Sequence, residues 1–168
     1  ETAGGTNAIW TGTYTMQNTD SDGLIGLSLD YKDYAGNSGT TATATSDGSQ
    51  VTFDRTVPTI TTATLASNNT YSNRKAKVGD IVTLTIVASE NIIDAPTVTM
   101  GTLAGMTGVT PTGSGTNWSA AYAIQDGDTE ENLRFTFAFS DLAANAGSTI
   151  NATTDANPVA IDKTATNL

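Results

Sequence analysis

The sequence has 168 residues, a formal net charge of −10 and neither Cys nor His. The acidic balance argues against nucleic acid and anionic membrane surfaces as partners, because both are bound through Lys and Arg. Without Cys there are no disulfides or thiolate metal sites, and without His the commonest general base is missing, so we do not expect an enzyme. No run of 18 apolar residues is present, so no membrane insertion is expected.

Strand and turn signals follow one another from the start of the chain, and no long window has apolar residues at helical spacing. Thr and Val favour strands, while Gly, Asn and Asp favour turns, so the composition predicts an all-β fold. Apolar and polar residues alternate in most segments, as they do in strands with one face on a core. The predicted strands are 10–16, 25–31, 40–45, 51–53, 58–65, 81–88, 96–100, one weak edge strand within 101–115, 118–124, 133–140, 148–154 and 159–161.

The strand at 133–140 has the strongest alternation. It places four large apolar side chains on one face, which predicts a central strand rather than an edge. Two tryptophans, Trp10 and Trp118, begin alternating strands and are predicted to face inward. The predicted core consists of Leu133, Phe135, Phe137, Phe139, Trp118, Tyr122, Val82, Leu84 and Ile86.

An internal repeat connects the two ends of the chain. Shifted by 108 positions, residues 10–56 align with residues 118–164 without a gap. A fixed period over such a length indicates a tandem domain repeat. A unit of roughly a hundred residues with about seven short strands fits an Ig-like antiparallel β-sandwich. Identical pairs include Trp10 and Trp118, Tyr14 and Tyr122, Gln17 and Gln125, Asp20 and Asp128, Asp33 and Asp141, Asn37 and Asn145, Gly39 and Gly147, and Asp54 and Asp162.

Several phrases of the sequence carry a family resemblance. They are DYAGN at 33–37, VTFDRTVPT at 51–59, AKVGDIVTLTIVASE at 76–90, NWSAAYAI at 117–124 and VAIDKTAT at 159–166. Together they resemble the bacterial Ig-like repeats of large secreted surface proteins and adhesins. The resemblance implies a stalk or filament of repeated modules on a bacterial exterior, often stiffened by calcium. The phrase DLAAN at 141–145 departs from the DYAGN form by Ala144 in place of Gly, so we expect no positive φ there.

Carboxylates are concentrated in the turns QNTDSDG at 17–23 and QDGDTEE at 125–131, at strand ends and at the predicted unit boundary. Calcium takes six to eight oxygen ligands, including turn carbonyls, so calcium is the predicted cofactor. The alternative that these acids only make soluble turns and end strands stays open. The candidate metal ligands are Asp20, Asp22, Asp33, Asp54, Glu90, Asp126, Asp128, Glu130, Asp141 and Asp162.

The repeat divides the chain unequally. Residues 1–57 match only the C-terminal half of an Ig-like repeat, whereas residues 58–168 match a complete one. In the unmatched half, large apolar side chains would stay exposed, and their burial is worth on the order of 10 to 20 kcal/mol. That free energy is as large as the about 5 to 15 kcal/mol by which a typical domain is stable. We therefore expect completion by preceding residues of a longer polypeptide, or by an identical subunit assembling head to tail. A start at Glu1 without Met fits a processed product or a fragment.

Two functions are compatible with these features. The first is a structural Ig-like repeat module of an extracellular bacterial surface protein, an adhesin stalk or a filament. The second is an Ig-like module that binds a surface carbohydrate or a host surface. Binding modules carry exposed aromatic side chains in loops, and here only Tyr34 and Tyr71 fall on predicted loops.

Overall fold

The computed structural model describes residues 11–93 and 96–165, and the chain divides into two compact units, Glu1–Asp54 and Arg55–Leu168. The described residues contain no helix, and therefore none that is long and apolar enough to cross a membrane. Their regular structure consists of strands in several mostly antiparallel sheets, an arrangement consistent with a β-sandwich. This confirms the all-β prediction, while Trp10 lies outside the described residues.

The strands differ greatly in length between the two units. Over its described residues, 11–54, the first unit has only two short antiparallel strands, β1 (Gly23–Leu24) and β2 (Thr52–Phe53). The second unit has β3 (Ile60–Ser67), β4 (Lys75–Ala76), β5 (Ile81–Ala88), β6 (Thr97–Thr102), β7 (Gly105–Val109), β8 (Thr112–Ser114), β9 (Asn117–Ala123), β10 (Arg134–Ala138) and β11 (Ala160–Ile161).

The strands in the described part of the second unit form three sheets. A four-stranded sheet has the order β3-β5-β9-β8, and a three-stranded sheet has the order β10-β6-β7, both antiparallel. The third sheet is the parallel pair of β4 and β11. Residues of β5 alternate between buried and more exposed positions, because one face of the strand packs on the core. All nine predicted core residues belong to one buried cluster.

Three predicted strands of the second unit differ from the structure, and one of them, 148–154, forms no regular strand but only the isolated bridge of Ile150 to Phe137. The strand with the phenylalanines, β10, is the outer strand of its sheet, and beyond it only the isolated Phe137–Ile150 bridge is paired. Its apolar face reflects packing against the core rather than a central place in the sheet. The Gly-rich stretch 101–115 forms two strands, β7 and β8, instead of one. A Cβ at Gly101 or Gly113 would collide with the facing backbone, so glycine allows this close pairing.

In the first unit the strands predicted at 25–31 and 40–45, and the part of 10–16 from residue 11 onward, do not form regular strands. Two isolated bridges, Leu29–Ala42 and Lys32–Ser38, replace them. In the second unit the equivalents of 10–16 and 25–31 are β9 and β10, which pair with β5 and β6 of residues 58–111. A strand needs a neighbouring strand to pair with its backbone N–H and C=O groups. Within the described residues 11–54 no counterpart of β5 or β6 precedes these segments.

Candidate functional site

The acidic turn at 125–131 closes around one buried carboxylate. Asp128 accepts hydrogen bonds from the Tyr122 hydroxyl, 2.9 Å from Oδ1, and from the Gln125 backbone N–H, 2.8 Å from Oδ2. The side chain of Gln125 donates back to the Ala123 carbonyl at 2.7 Å. Burial, followed by the bond to Asp128, raises the pKa of Tyr122 to about 12. The turn therefore ends β9 with a closed network of hydrogen bonds.

A lysine ammonium lies against the same turn. Lys163 Nζ donates to the backbone carbonyls of Asp126 at 2.9 Å and Asp128 at 2.7 Å. Glu130 accepts the Lys163 backbone N–H at 2.6 Å and the Thr164 hydroxyl at 2.7 Å. The Thr164 hydroxyl, then the Lys163 N–H, hold the pKa of Glu130 below its usual value. The segment after β11 is thereby fastened to the acidic turn.

These contacts bear on the predicted calcium ligands of the turn. Calcium would use turn carbonyls together with carboxylates. The carbonyls of Asp126 and Asp128 already face the Lys163 ammonium, and the Asp128 carboxylate already takes hydroxyl and amide donors. A calcium ion at this turn would have to displace Lys163, so the donor set does not fit a built calcium site.

The phrase DLAAN forms a second closed turn. Asp141, buried at the end of the β10 segment, accepts the backbone N–H groups of Ala143 and Asn145 on Oδ1, both at 2.8 Å. Its Oδ2 accepts the side-chain amide of Asn145 at 2.8 Å. Burial of this carboxylate is therefore balanced by three donors.

Ala144 corrects one sequence-based expectation. Its φ is 69°, in the left-handed region, although the replacement of Gly by Ala suggested otherwise. The carboxylate of Asp141 fixes the N–H groups on both sides of Ala144, so the turn imposes the strained backbone despite the Cβ. Ala156, at φ 54°, also has a glycine counterpart, Gly48, at φ 72°.

The first unit carries the same two turns. In its acidic turn Asp20 accepts the Tyr14 hydroxyl at 3.0 Å and the Gln17 N–H at 2.7 Å, and Asp22 lies exposed nearby. In its DYAGN turn Asp33 accepts the N–H groups of Ala35 at 2.9 Å and Asn37 at 2.8 Å. The side-chain amide of Asn37 is the largest cause that lowers the pKa of Asp33. Each pair of residues has its counterpart 108 positions later.

The remaining candidate ligands lie at strand ends. Glu90 and Asp141 place carboxylate oxygens within 4.8 Å of each other, so the second unit brings these two predicted ligands together. Asp162 is exposed and forms an ion pair with Lys75 at 3.5 Å. Asp54 is the last residue of the first unit and is half-buried.

Two residues of this network, Lys163 and Glu131, are not among the predicted ligands, although Glu131 belongs to the acidic turn at 125–131 that the sequence singled out. Glu131 accepts the Leu103 backbone N–H and the Thr129 hydroxyl, and it pairs with Arg134 at 3.5 Å. The repeat offered a signal for Lys163, because the position 108 residues earlier is Arg55, also a cation. Glu131 has Gly23 as its counterpart, so the repeat gave no signal for it.

Two surface features concern ligand binding. A groove of about 560 Å³ runs along residues 131–135 and 151–153, but its aromatic lining residue, Phe135, is buried. The loop tyrosines Tyr34 and Tyr71 are almost completely exposed, as their loop positions predicted. The Asn69 side chain accepts the Tyr71 N–H at 3.0 Å and thereby fixes the backbone of that loop.

A scan against known protein families finds no family that matches this chain, and a comparison with curated proteins finds no match either.

Proposed function

We propose that this chain is a structural module: Ig-like repeats of an extracellular bacterial surface protein, an adhesin stalk or a filament, with neighbouring repeats placed end to end. The observation that carries the proposal is the recurrence of two closed turns at a spacing of 108 residues, each built on an aspartate that accepts hydrogen bonds within its own turn. Polar groups that hold turns serve the shape of a module rather than chemistry on a ligand.

The pairing of β4 with β11 supports a role under tension. In this parallel pair, β11 from the C-terminal part of the second unit is hydrogen-bonded to β4 from its N-terminal part. Backbone bonds join Ala160 N–H to the Arg74 carbonyl at 3.0 Å and Asp162 N–H to the Ala76 carbonyl at 2.8 Å. A pull on the C-terminal end of the unit would load these bonds together in shear, because β11 would be drawn along β4.

Arg74 reinforces this pair of strands. Its guanidinium donates to the carbonyls of Leu65 at 2.7 Å and Asn157 at 2.9 Å, and it pairs with Asp155 at 3.2 Å. One side chain thus ties β3 and the segment before β11 to the start of β4.

Single-molecule stretching of the full chain tests the structural role. The second unit should unfold in one high-force event, and Arg74→Ala should lower that force. Arg134→Ala serves as the control for removal of an arginine, because Arg134 is half-exposed and pairs with Glu131 rather than with a residue of β4 or β11. Unfolding at the low force of an unstructured chain would contradict the proposal.

Calcium is a separate part of the proposal. Because Lys163 already lies against the acidic turn, we propose the Glu90–Asp141 pair as the place where calcium would add stiffness. The Asp141 Oδ2 atom accepts one hydrogen bond, from Asn145, and keeps a second lone pair that a cation could use. Two carboxylates make a weak site, of about 10⁻⁴ to 10⁻³ M as in extracellular modules. Calorimetric scans in millimolar calcium and in chelator should differ for the chain and coincide for Glu90→Gln. Identical scans for both would reject calcium.

The alternative function is recognition of a surface carbohydrate, and one observation favours it. Tyr71 presents a nearly fully exposed ring on a loop whose backbone is hydrogen-bonded to Asn69. A glycan array decides between the two functions. Binding that Tyr71→Ala abolishes, while Tyr71→Phe keeps it, would replace the structural proposal with a binding module.

A further inference from the structure

The first unit carries an exposed apolar face, whereas the equivalent face of the second unit is buried in that unit's own core. Ile25, Leu27, Leu29 and Tyr31 are between 40% and 54% exposed. Their counterparts 108 positions later are Leu133, Phe135, Phe137 and Phe139, which are between 1% and 7% exposed. The same strand pattern is therefore covered in one unit and uncovered in the other.

The second unit shows what covers this face. Strand β6 lies beside β10, with Met100 opposite Phe135 and Val98 opposite Phe137. Strand β5 lies beside β9, with Val82 opposite Tyr122. These two strands extend the sheets of β10 and β9, and their inward side chains join the buried cluster that contains the phenylalanines. Both strands, and β4 beside β11, come from residues 58–111, which we term the first half-repeat.

The first unit is already shaped to receive such strands. Its turn at Asp33, its Asp20 turn and its bridge from Leu29 to Ala42 reproduce the counterparts in the second unit with the same donors and acceptors. The Tyr31 ring lies over Gly39 as the Phe139 ring lies over Gly147, since a Cβ on either glycine would collide with the ring. The half that is present thus has its own local structure and lacks only its partner strands.

We propose that the apolar face of the first unit binds an additional first half-repeat, a segment with the strand pattern of residues 58–111 that precedes the first unit in the same polypeptide. This inference rests on the proposed tandem arrangement and names its missing component. The register follows from the second unit. In the proposed segment, the position equivalent to Met100 lies opposite Leu27 and the position equivalent to Val98 lies opposite Leu29. The position equivalent to Val82 lies opposite Tyr14.

Copies of this chain alone cannot supply the partner. Each chain has one first half-repeat, 58–111, and two segments that match the second half, so any closed or open assembly leaves one second half uncovered per chain. In the second unit the first half-repeat is already paired with β9, β10 and β11. A further half-repeat is therefore needed, and joining it to the same chain gives it a high effective concentration.

The absence of Cys from the sequence makes disulfide trapping a direct test of this register. In the second unit Thr99 and Thr136 are cross-strand neighbours with hydroxyl oxygens 2.7 Å apart, and the counterpart of Thr136 is Ser28. A second copy of residues 58–111 is placed ahead of Glu1, with Thr99→Cys in the added copy and Ser28→Cys in the first unit. Mild oxidation should link most molecules internally.

A register control accompanies this variant. The second unit pairs Thr97 with Ala138, whose counterpart is Asp30, two residues beyond Ser28. The added copy's Thr97→Cys should therefore link to Asp30→Cys, and its Thr99→Cys should link to Asp30→Cys at least tenfold less. An unchanged melting transition of the second unit verifies that the substitutions leave that unit intact.

Three results would overturn the inference. One is the absence of internal linkage, or equal linkage of matched and mismatched pairs. Another is a separate polypeptide of residues 58–111 that, at the same concentration, becomes linked to the first unit as completely as the fused copy does. That result would show that the partner need not come from the same chain. The third is a dimer of the unmodified chain that Leu27→Asp converts to a monomer, since a second copy would then cover the face. The stretching experiment concerns only the second unit, so failure of the proposed function would be seen separately.

Discussion

The two copies of the repeated half agree in their turns and differ in their strands. Asp33 and Asp141 each accept a backbone N–H from the asparagine four residues later at 2.8 Å. Yet β10 has five paired residues with β6, whereas its counterpart in the first unit keeps only the bridge at Leu29. Turns are closed by neighbours along the chain, but strands need a partner from elsewhere in the sequence.

The largest expected difference between the copies concerns their apolar side chains. Phe137→Ala should destabilise the second unit by about 3–5 kcal/mol, because it removes a fully buried ring and leaves a cavity. Leu29→Ala at the equivalent exposed position should change that unfolding free energy by less than about 0.5 kcal/mol. Denaturant unfolding of both variants measures the contrast. Equal losses would mean that the first unit has a core of its own.

The turn carboxylates give the next contrast. Asp141→Ala leaves the N–H groups of Ala143 and Asn145 without their acceptor, and it should cost about 2–3 kcal/mol in thermal unfolding. Asp33→Ala removes the same bonds from an exposed turn and should leave the main transition unchanged. A drop in melting temperature for Asp33→Ala as large as that for Asp141→Ala would contradict the comparison.

High pH should separate Tyr122 from Tyr14. Burial and Asp128 raise the pKa of Tyr122 to about 12, from about 10 in an unfolded chain. The folded state thus favours the neutral phenol, and this stabilisation is complete below pH 10 and is lost as the pH rises from 10 to 12. The loss should be about 2–3 kcal/mol in unfolding titrations.

Conservative variants provide the control for this pH effect. Tyr122→Phe should flatten the decline between pH 10 and 12. Tyr14, whose hydroxyl is bonded to Asp20 on an exposed surface, should leave the curve unchanged when replaced by Phe. A decline that persists in Tyr122→Phe would assign it to other groups.

The smallest effect concerns the strained alanine. Ala144→Gly should stabilise the second unit by about 0.5–1 kcal/mol, because glycine adopts φ 69° without a Cβ penalty. Gly36 already has φ 88° at the equivalent position of the first unit. Melting curves measure the gain, and Ala143→Gly, which has no positive φ to relieve, is the control that should destabilise.

The sequence alone predicts the core of the second unit well and its polar network only in part. Alternation placed Phe137 and Val82 inward because burial of one strand face leaves a period of two. The same alternation in Leu27 and Leu29 predicts a strand but cannot tell whether a partner is present. The contacts of Lys163 with the turn carbonyls join positions 35 and 37 residues apart, so no local pattern shows them.

Ala144 illustrates a different limit of prediction. A residue's own preference argued against positive φ, but the hydrogen bonds of Asp141 to its neighbours outweighed that preference. The glycine in the equivalent turn of the first unit was the better guide, since in both turns the aspartate accepts the same backbone N–H groups and the same asparagine amide. A repeat within one chain thus predicts backbone geometry more reliably than the identity of a single residue.

Hydrogen exchange on the full chain tests the central claim most directly, because the two copies make equivalent backbone bonds. Leu29 N–H and Phe137 N–H both donate at 2.9 Å, to Ala42 and Ile150. We expect the Phe137 amide to exchange only through unfolding of the second unit, and the Leu29 amide to exchange at least a hundredfold faster because its strand has no covering partner. Equal protection of the two amides in the monomeric chain would contradict the account.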